Sequence, residues 1–187
     1  MLRTNQSFLD YIEGLYAKEE HHRKIIQRTF SEGGSLLVQN ENPTQVMFIK
    51  EGITKCFFTE ENGKEYIVEF LGKGEIVGEV ELIRNIPCLC SIEAITEVNV
   101  YAVPVSYFTT LIKSDLTLNN FLLDVFAERV VNTSSRASYQ QLYTTEHTLA
   151  QLLELQSRQE ISLSKEDMAA YLGITLRSLN RALKNLK

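Results

Sequence analysis

Four cations, Arg177, Arg181, Lys184 and Lys187, stand in the last fourteen residues of the chain, and no anion stands among them. At helical spacing such side chains meet phosphates, and those near a helix start reach base edges in the major groove. A second group of reactive types is Cys88-Leu89-Cys90. In an extended segment, residues two apart share a face, so these thiols have the spacing to hold a metal together or to be oxidised. Two ligands do not close a tetrahedral zinc site, and His21, His22 and His147 fall in other segments, so no metal is expected. The thiols are read instead as small buried side chains. No nucleophile, base and orienting group occurs at recognisable spacing, so neither catalysis nor a cofactor is expected.

The elements that must position the cations are legible. Ser164-Lys165-Glu166-Asp167 opens a helix with a serine N-cap and acidic residues in its first turn, where the helix dipole favours them. Met168, Ala169, Tyr171 and Leu172 give it an apolar side, and Gly173 stops it. Thr175 caps a second helix carrying Leu179, Ala182, Leu183 and Leu186 beside the cations. Two short helices joined through glycine predict a helix-turn-helix.

Upstream, Ser7 to Tyr16 reads as a short amphipathic helix, and Glu19 to Phe30 is expected to continue helical. From Gly33 the pattern becomes short apolar runs cut by turn residues, ending near Val103. Asn62-Gly63 suits a tight hairpin, both residues tolerating positive φ. Regularly spaced short strands predict an antiparallel barrel or sandwich. Ser106 to Leu111 reads as a short helix, and Thr117 to Tyr143 as a long one. Its apolar residues lie on two sides, Leu118, Leu122, Val125 and Phe126 on one and Leu123, Val130 and Ala137 on the other. About 27 residues would span about 40 Å, too far for one small β-domain to cover, so a second copy of the helix is expected on the other side. Thr144 offers a fresh N-cap for a packing helix bearing Leu149, Leu152, Leu153 and Leu155.

A chain of 187 residues suffices for a proper core. No apolar run approaches membrane-spanning length and no signal pattern opens the chain, so a soluble, cytoplasmic protein without membrane contact is expected. Three cysteines make no disulfide framework, which fits a reducing compartment. The net charge of −5 is unevenly spread. Residues 1–100 hold 10 Lys and Arg against 16 Asp and Glu, and the remainder holds 9 against 8. Local charge decides where phosphate binds, so the acidic half has another task.

An acidic antiparallel β-domain, a long helix and a C-terminal helix-turn-helix, in that order, resemble the cyclic-AMP receptor protein/FNR (CRP/FNR) family of bacterial transcription regulators. The carriers are Glu51-Gly52-Ile53, Asn62-Gly63-Lys64-Glu65, Gly72 through Glu79, and Leu163 through Thr175. The resemblance implies an α+β protein. A β-roll sensor domain (a jelly-roll-like double-stranded β-helix) with N-terminal helices occupies residues 1–112, a dimerisation helix 113–143 and a helix-turn-helix domain 144–187. It further implies a homodimer on a two-fold DNA operator, a small-molecule effector in the β-roll, and contact with RNA polymerase.

The effector pocket would involve Gly78, Glu79, Cys88, Leu89, Thr133 and Ser134. In cyclic-nucleotide-binding members an Arg-Ser pair follows the pocket helix, and that arginine neutralises the phosphate. Those positions here hold Cys88 and Leu89, so cyclic AMP is not expected to bind, because a phosphate buried without its cation is costly. Glu79 is read as a remnant bonding nearby backbone. Thr133-Ser134 match residues that touch adenine in cyclic-AMP-binding members, or serve as plain helix-packing residues. The iron–sulfur cluster of FNR-type members needs three cysteines near the N-terminus, and none precedes Cys56. On the reading helix, members carry a Glu and an Arg where Arg177 and Arg181 stand. Arg181 therefore matches as the guanine reader, Arg177 implies another base or a phosphate, Lys184 a phosphate, and Thr175 and Ser178 phosphate oxygens. Members continue past this helix into a β-wing, whereas this sequence stops at Lys187 as either a shortened variant or a fragment, which leaves two readings. One is a DNA-binding regulator; the other is an effector-sensing or interaction module with weakened or lost DNA binding. A cupin-like metalloenzyme is excluded because Gly33 to Val103 contains no histidine.

Overall fold

The computed structural model describes residues 2–18 and 24–186. The described residues form nine short strands, most of them separated by turns, as the turn-cut apolar runs require. They are β1 (Leu2–Arg3), β2 (Ile26–Phe30), β3 (Ser35–Leu37), β4 (Gln45–Glu51), β5 (Thr54–Thr59), β6 (Glu65–Leu71), β7 (Ile76–Val77), β8 (Ser91–Ala94) and β9 (Val98–Pro104). One sheet runs β1-β6-β5-β8-β3 and the other β2-β9-β4-β7. All pairings are antiparallel except β1 with β6. The sheets face each other as a β-roll and share a core that includes Met47, Ile49, Leu71, Ile92 and Val100. The Asn62-Gly63 turn uses positive φ only at Gly63; the Asn62 side chain instead accepts from the Lys64 N–H at 3.0 Å.

The helices among the described residues are α1 (Gln6–Tyr16), α2 (Glu79–Arg84), α3 (Val105–Ser114), α4 (Leu116–Leu142), α5 (Thr145–Gln159), α6 (Lys165–Leu172) and α7 (Leu176–Asn185). Helix α1 starts from an Asn5 cap and buries Phe8, Leu9, Ile12 and Leu15. The expected helix over Glu19 to Phe30 is corrected in its second half. Ile26–Phe30 is strand β2, in antiparallel register with Val98–Ala102. A neighbouring strand with an open edge decides its conformation, as tertiary pairing overrides weak local preference. Residues 19–23, with His21 and His22, lie outside the described residues.

Helix α4 is the longest element. The Asp115 carboxylate caps it, accepting from the N–H groups of Thr117 and Leu118 at 2.8 and 3.1 Å. Its buried residues, Leu118, Leu122 and Val125, all lie in the first half. There they join Phe8, Phe48 and Phe108, with Phe8 edge-on to Phe48 and stacked on Phe121, both at 5.1 Å. The second apolar side behaves differently: Leu123 is 67% and Val130 65% exposed, and Leu116 and Ala137 are exposed too. These four stand seven residues apart, one continuous stripe along the helix.

A third core joins the C-terminal helices to the β-roll. Leu149, Leu152, Met168, Ala169, Leu179 and Ala182 pack with Phe57, Ile67 and Phe70 of β5 and β6.

Candidate functional site

The C-terminal helices form as their caps dictate. The Ser164 hydroxyl accepts from the Asp167 N–H at 2.9 Å, and Gly173 closes α6 at φ 67°. Thr175 Oγ1 accepts from the Ser178 N–H at 3.2 Å and starts α7. Leu179 and Ala182 turn inward, while Arg177, Arg181 and Lys184 stand off that buried face. Thr175 and Ser178 bond each other through their hydroxyls at 3.1 Å, so both sit at the helix start beside Arg177. Burial of one face by the α5–α6 scaffold thus fixes the direction in which the three cations point. Lys187 lies outside the described residues.

The pocket expected in the β-roll is a cavity of about 180 Å³. Gly78, Glu79, Leu89 and Thr133 line it, together with Cys56, Cys90, Glu69 and Arg129. Gly78, at φ 89°, turns the chain into α2. Of the remaining sequence candidates, Cys88 is buried in the β-roll core and Ser134 is exposed on α4, and neither lines the cavity.

Arg129, which sequence reading missed, defines the electrostatics of this cavity. It reaches in from α4, donates to Glu79 Oε1 and, at 2.7 Å, to the Ile76 carbonyl, and lies 3.6 Å from Glu69 and 3.7 Å from Glu75. The reading of Glu79 as a remnant bonding nearby backbone is incomplete: besides a bond to its own backbone, it pairs with an arginine fifty residues away. Arg3, from β1, adds contacts to Glu69 at 3.3 Å and to Glu75 and Glu128 at 3.4 Å. Two guanidinium groups thus face four carboxyls. Burial pushes the Glu75 carboxyl up to about 7 and raises that of Glu79, against the pull of the arginines. Burial alone would lower Arg129, but Glu79, Glu69 and Glu75 outweigh it and raise its pKa. Both Glu75 oxygens and Glu79 Oε2 are buried without a hydrogen-bond donor. A cyclic phosphate entering here would find Arg129 engaged and surplus carboxylates beside it.

The sequence did hold a usable signal. Arg129 and Arg136 are the two cations of α4 and stand seven residues apart, hence on one face. Arg136 is used in the same manner one step along. It donates to the carbonyls of Val68 on β6 and Tyr171 on α6, and its guanidinium lies over the rings of Tyr171 and Tyr66. Nearby, Lys55 of β5 bridges to Asp167 of α6 at 3.0 Å, and the Tyr66 hydroxyl donates to Gln140 at 2.9 Å. The helix-turn-helix is thereby docked on the outside of the β5–β6 hairpin.

Comparison with known proteins agrees with this architecture. Residues 27–115 match the model of the cyclic nucleotide-binding domain. Regulatory protein YeiL of Escherichia coli O157:H7 is 21% identical over 145 residues, a stretch covering 77% of this chain and 66% of that protein. The chain thus spans just under two thirds of that relative. Among solved structures, the c-di-GMP responsive global regulator CLP of Xanthomonas campestris superposes with a TM-score of 0.78 at 16% identity, covering 90% of this chain and 89% of that one. A CRP/FNR-family transcriptional regulator of Thermus thermophilus superposes with a TM-score of 0.74 at 16% identity, covering 86% and 85%. The fold of this chain is the fold of those regulators.

Proposed function

We propose that this chain, which has the fold of the CRP/FNR transcription regulators, is itself a sequence-specific DNA-binding regulator acting as a homodimer in the cytoplasm. The observation that carries the reading is the α7 geometry. Its apolar face is locked into the helix-turn-helix core, and Arg177, Arg181 and Lys184 are presented away from that core. Arg181 reads a guanine edge, Lys184 meets a phosphate, Arg177 serves either role, and Thr175 and Ser178 meet phosphate oxygens. Dimerisation through the exposed stripe of α4 sets two such helices on a two-fold operator. Contact with RNA polymerase follows as the regulatory output, and no catalytic step is assigned. No helix among the described residues is long and apolar enough to cross a membrane.

Selection from a randomised duplex library, combined with titrations across salt, tests the α7 assignment. Arg181→Ala should cost about 1–3 kcal/mol on the preferred operator and relax choice at one symmetric position. Lys184→Ala should weaken all sequences alike and lower the salt slope by roughly one ion per subunit. Equal, sequence-independent losses for both would reduce α7 to a non-specific basic surface.

The sensor domain, in this reading, takes an effector other than cyclic AMP, because the cavity is lined by Glu69, Glu79 and Glu81 against the single cation Arg129, which is already paired with Glu79 and Glu69. Calorimetry with cyclic AMP and cyclic GMP should register no heat of binding at micromolar concentration; a saturable micromolar isotherm for either would overturn it.

A further inference from the structure

We propose that Cys56 and Cys90 form a dithiol, set in the wall of the sensor cavity, that hydroperoxides oxidise to a disulfide. Their Sγ atoms lie 2.8 Å apart, less than an ångström longer than a disulfide bond of about 2.05 Å. The strand register explains the approach. Cys56 of β5 stands opposite Ile92 of β8, and Cys90 precedes Ile92 by two residues, so the two thiols are diagonal neighbours on one face. Both line the same cavity. Cys56 is buried, whereas Cys90 is half-buried and so open to a small oxidant. Cys88 is set apart from this pair. Its backbone is tied to Glu41 and Asn40, and it does not line the cavity.

The chemistry balances without a metal or a bound cofactor. The Cys90 thiolate attacks one oxygen of the hydroperoxide and breaks the O–O bond, giving a sulfenic acid and, after protonation of the leaving oxygen, water or an alcohol. Cys56 then attacks the Cys90 sulfur and displaces hydroxide, which takes up the Cys56 proton as water. Two thiols lose two electrons and two protons, and the peroxide gains them. A dithiol reductant restores the pair by thiol–disulfide exchange.

The position gives oxidation a route to the long helix. Cys56 stands opposite Glu69 in the β5–β6 register, and Glu69 in turn lies 3.6 Å from Arg129 of α4. Drawing Cys56 towards β8 therefore acts on the ion pair that anchors α4 to the cavity. This inference goes beyond DNA recognition and does not depend on it.

The test treats the full chain with equimolar hydrogen peroxide, quenches with a thiol-alkylating reagent under denaturing conditions, and maps the peptides by mass with and without dithiothreitol. The expected result is a fall from three alkylated cysteines to one, namely Cys88, and a Cys56–Cys90 linked peptide pair that dithiothreitol separates. Cys88→Ala should oxidise like the parent, while Cys90→Ser should form no intramolecular bond, with circular dichroism confirming that both variants fold. Three free thiols after treatment, a bridge that includes Cys88, or Cys90 advancing to sulfinic acid without a bond to Cys56 would each overturn the proposal.

Discussion

At the residue scale, the carboxyl of Glu75 makes the sharpest prediction. It has no solvent exposure and faces Arg3 at 3.4 Å and Arg129 at 3.7 Å, yet burial pushes it up to about 7. A carboxyl raised in the folded state holds its proton there while the unfolded chain has lost it, so stability falls as pH rises from about 4.5 to about 7. The contribution is on the order of 3 kcal/mol across that window. Urea denaturation at several pH values should show the parent losing stability against Glu75→Gln over this range, with the gap constant above it. A pH-independent difference would mean that Glu75 is ionised throughout. The same cluster shows what sequence reading reaches and what it does not. The caps at Ser164, Thr144 and Thr175 are local, since each side chain bonds a backbone N–H three residues on, and all three were legible. The Arg129–Glu79 pair joins residues fifty apart, and neither spacing nor charge pattern names one as the other's partner. Cys90 likewise turns to Cys56 rather than to its neighbour in sequence, because strand register outranks proximity along the chain.

At the element scale, α4 carries the account. Its two apolar sides were legible from periodicity, and only one of them is covered: Leu118, Leu122 and Val125 are buried, while Leu116, Leu123, Val130 and Ala137 form the exposed stripe. An uncovered stripe at heptad spacing matches a coiled-coil seam. Val130→Glu and Ala137→Asp should each move sedimentation at micromolar concentration from dimer towards monomer while leaving the melting profile of the β-roll intact, since neither residue is buried in the chain. A parent protein that sediments as a clean monomer would remove the dimer from this account. Strand β2 marks the opposite case. Residues Ile26–Phe30 carry little periodic signal of either kind, and pairing with β9 settles them. A helix long enough to bury one face declares itself; a short strand completed by a distant partner does not.

At the scale of the whole molecule, the helix-turn-helix is held against the β5–β6 hairpin by Arg136, by the Lys55–Asp167 bridge and by the apolar contacts of Phe57, Ile67 and Phe70. Cys56 of β5, Glu69 of β6 and the docking residues Lys55, Phe57, Ile67 and Phe70 thus share two strands, so a change at Cys56 or Glu69 acts on the same hairpin that holds the helix-turn-helix. The order of the elements was legible because each kind has its own grammar: turn-cut strands, one long helix, and capped short helices. The docking was not, because no local pattern records which face of one domain meets another. The central claim is that two copies of this chain read one two-fold DNA site. The most direct measurement is sedimentation of the parent protein with a selected operator duplex and with the same duplex reduced to a single half-site. The account predicts two chains per full operator and markedly weaker binding to the half-site. One chain per duplex with equal affinity for both, or no complex with either, would contradict it.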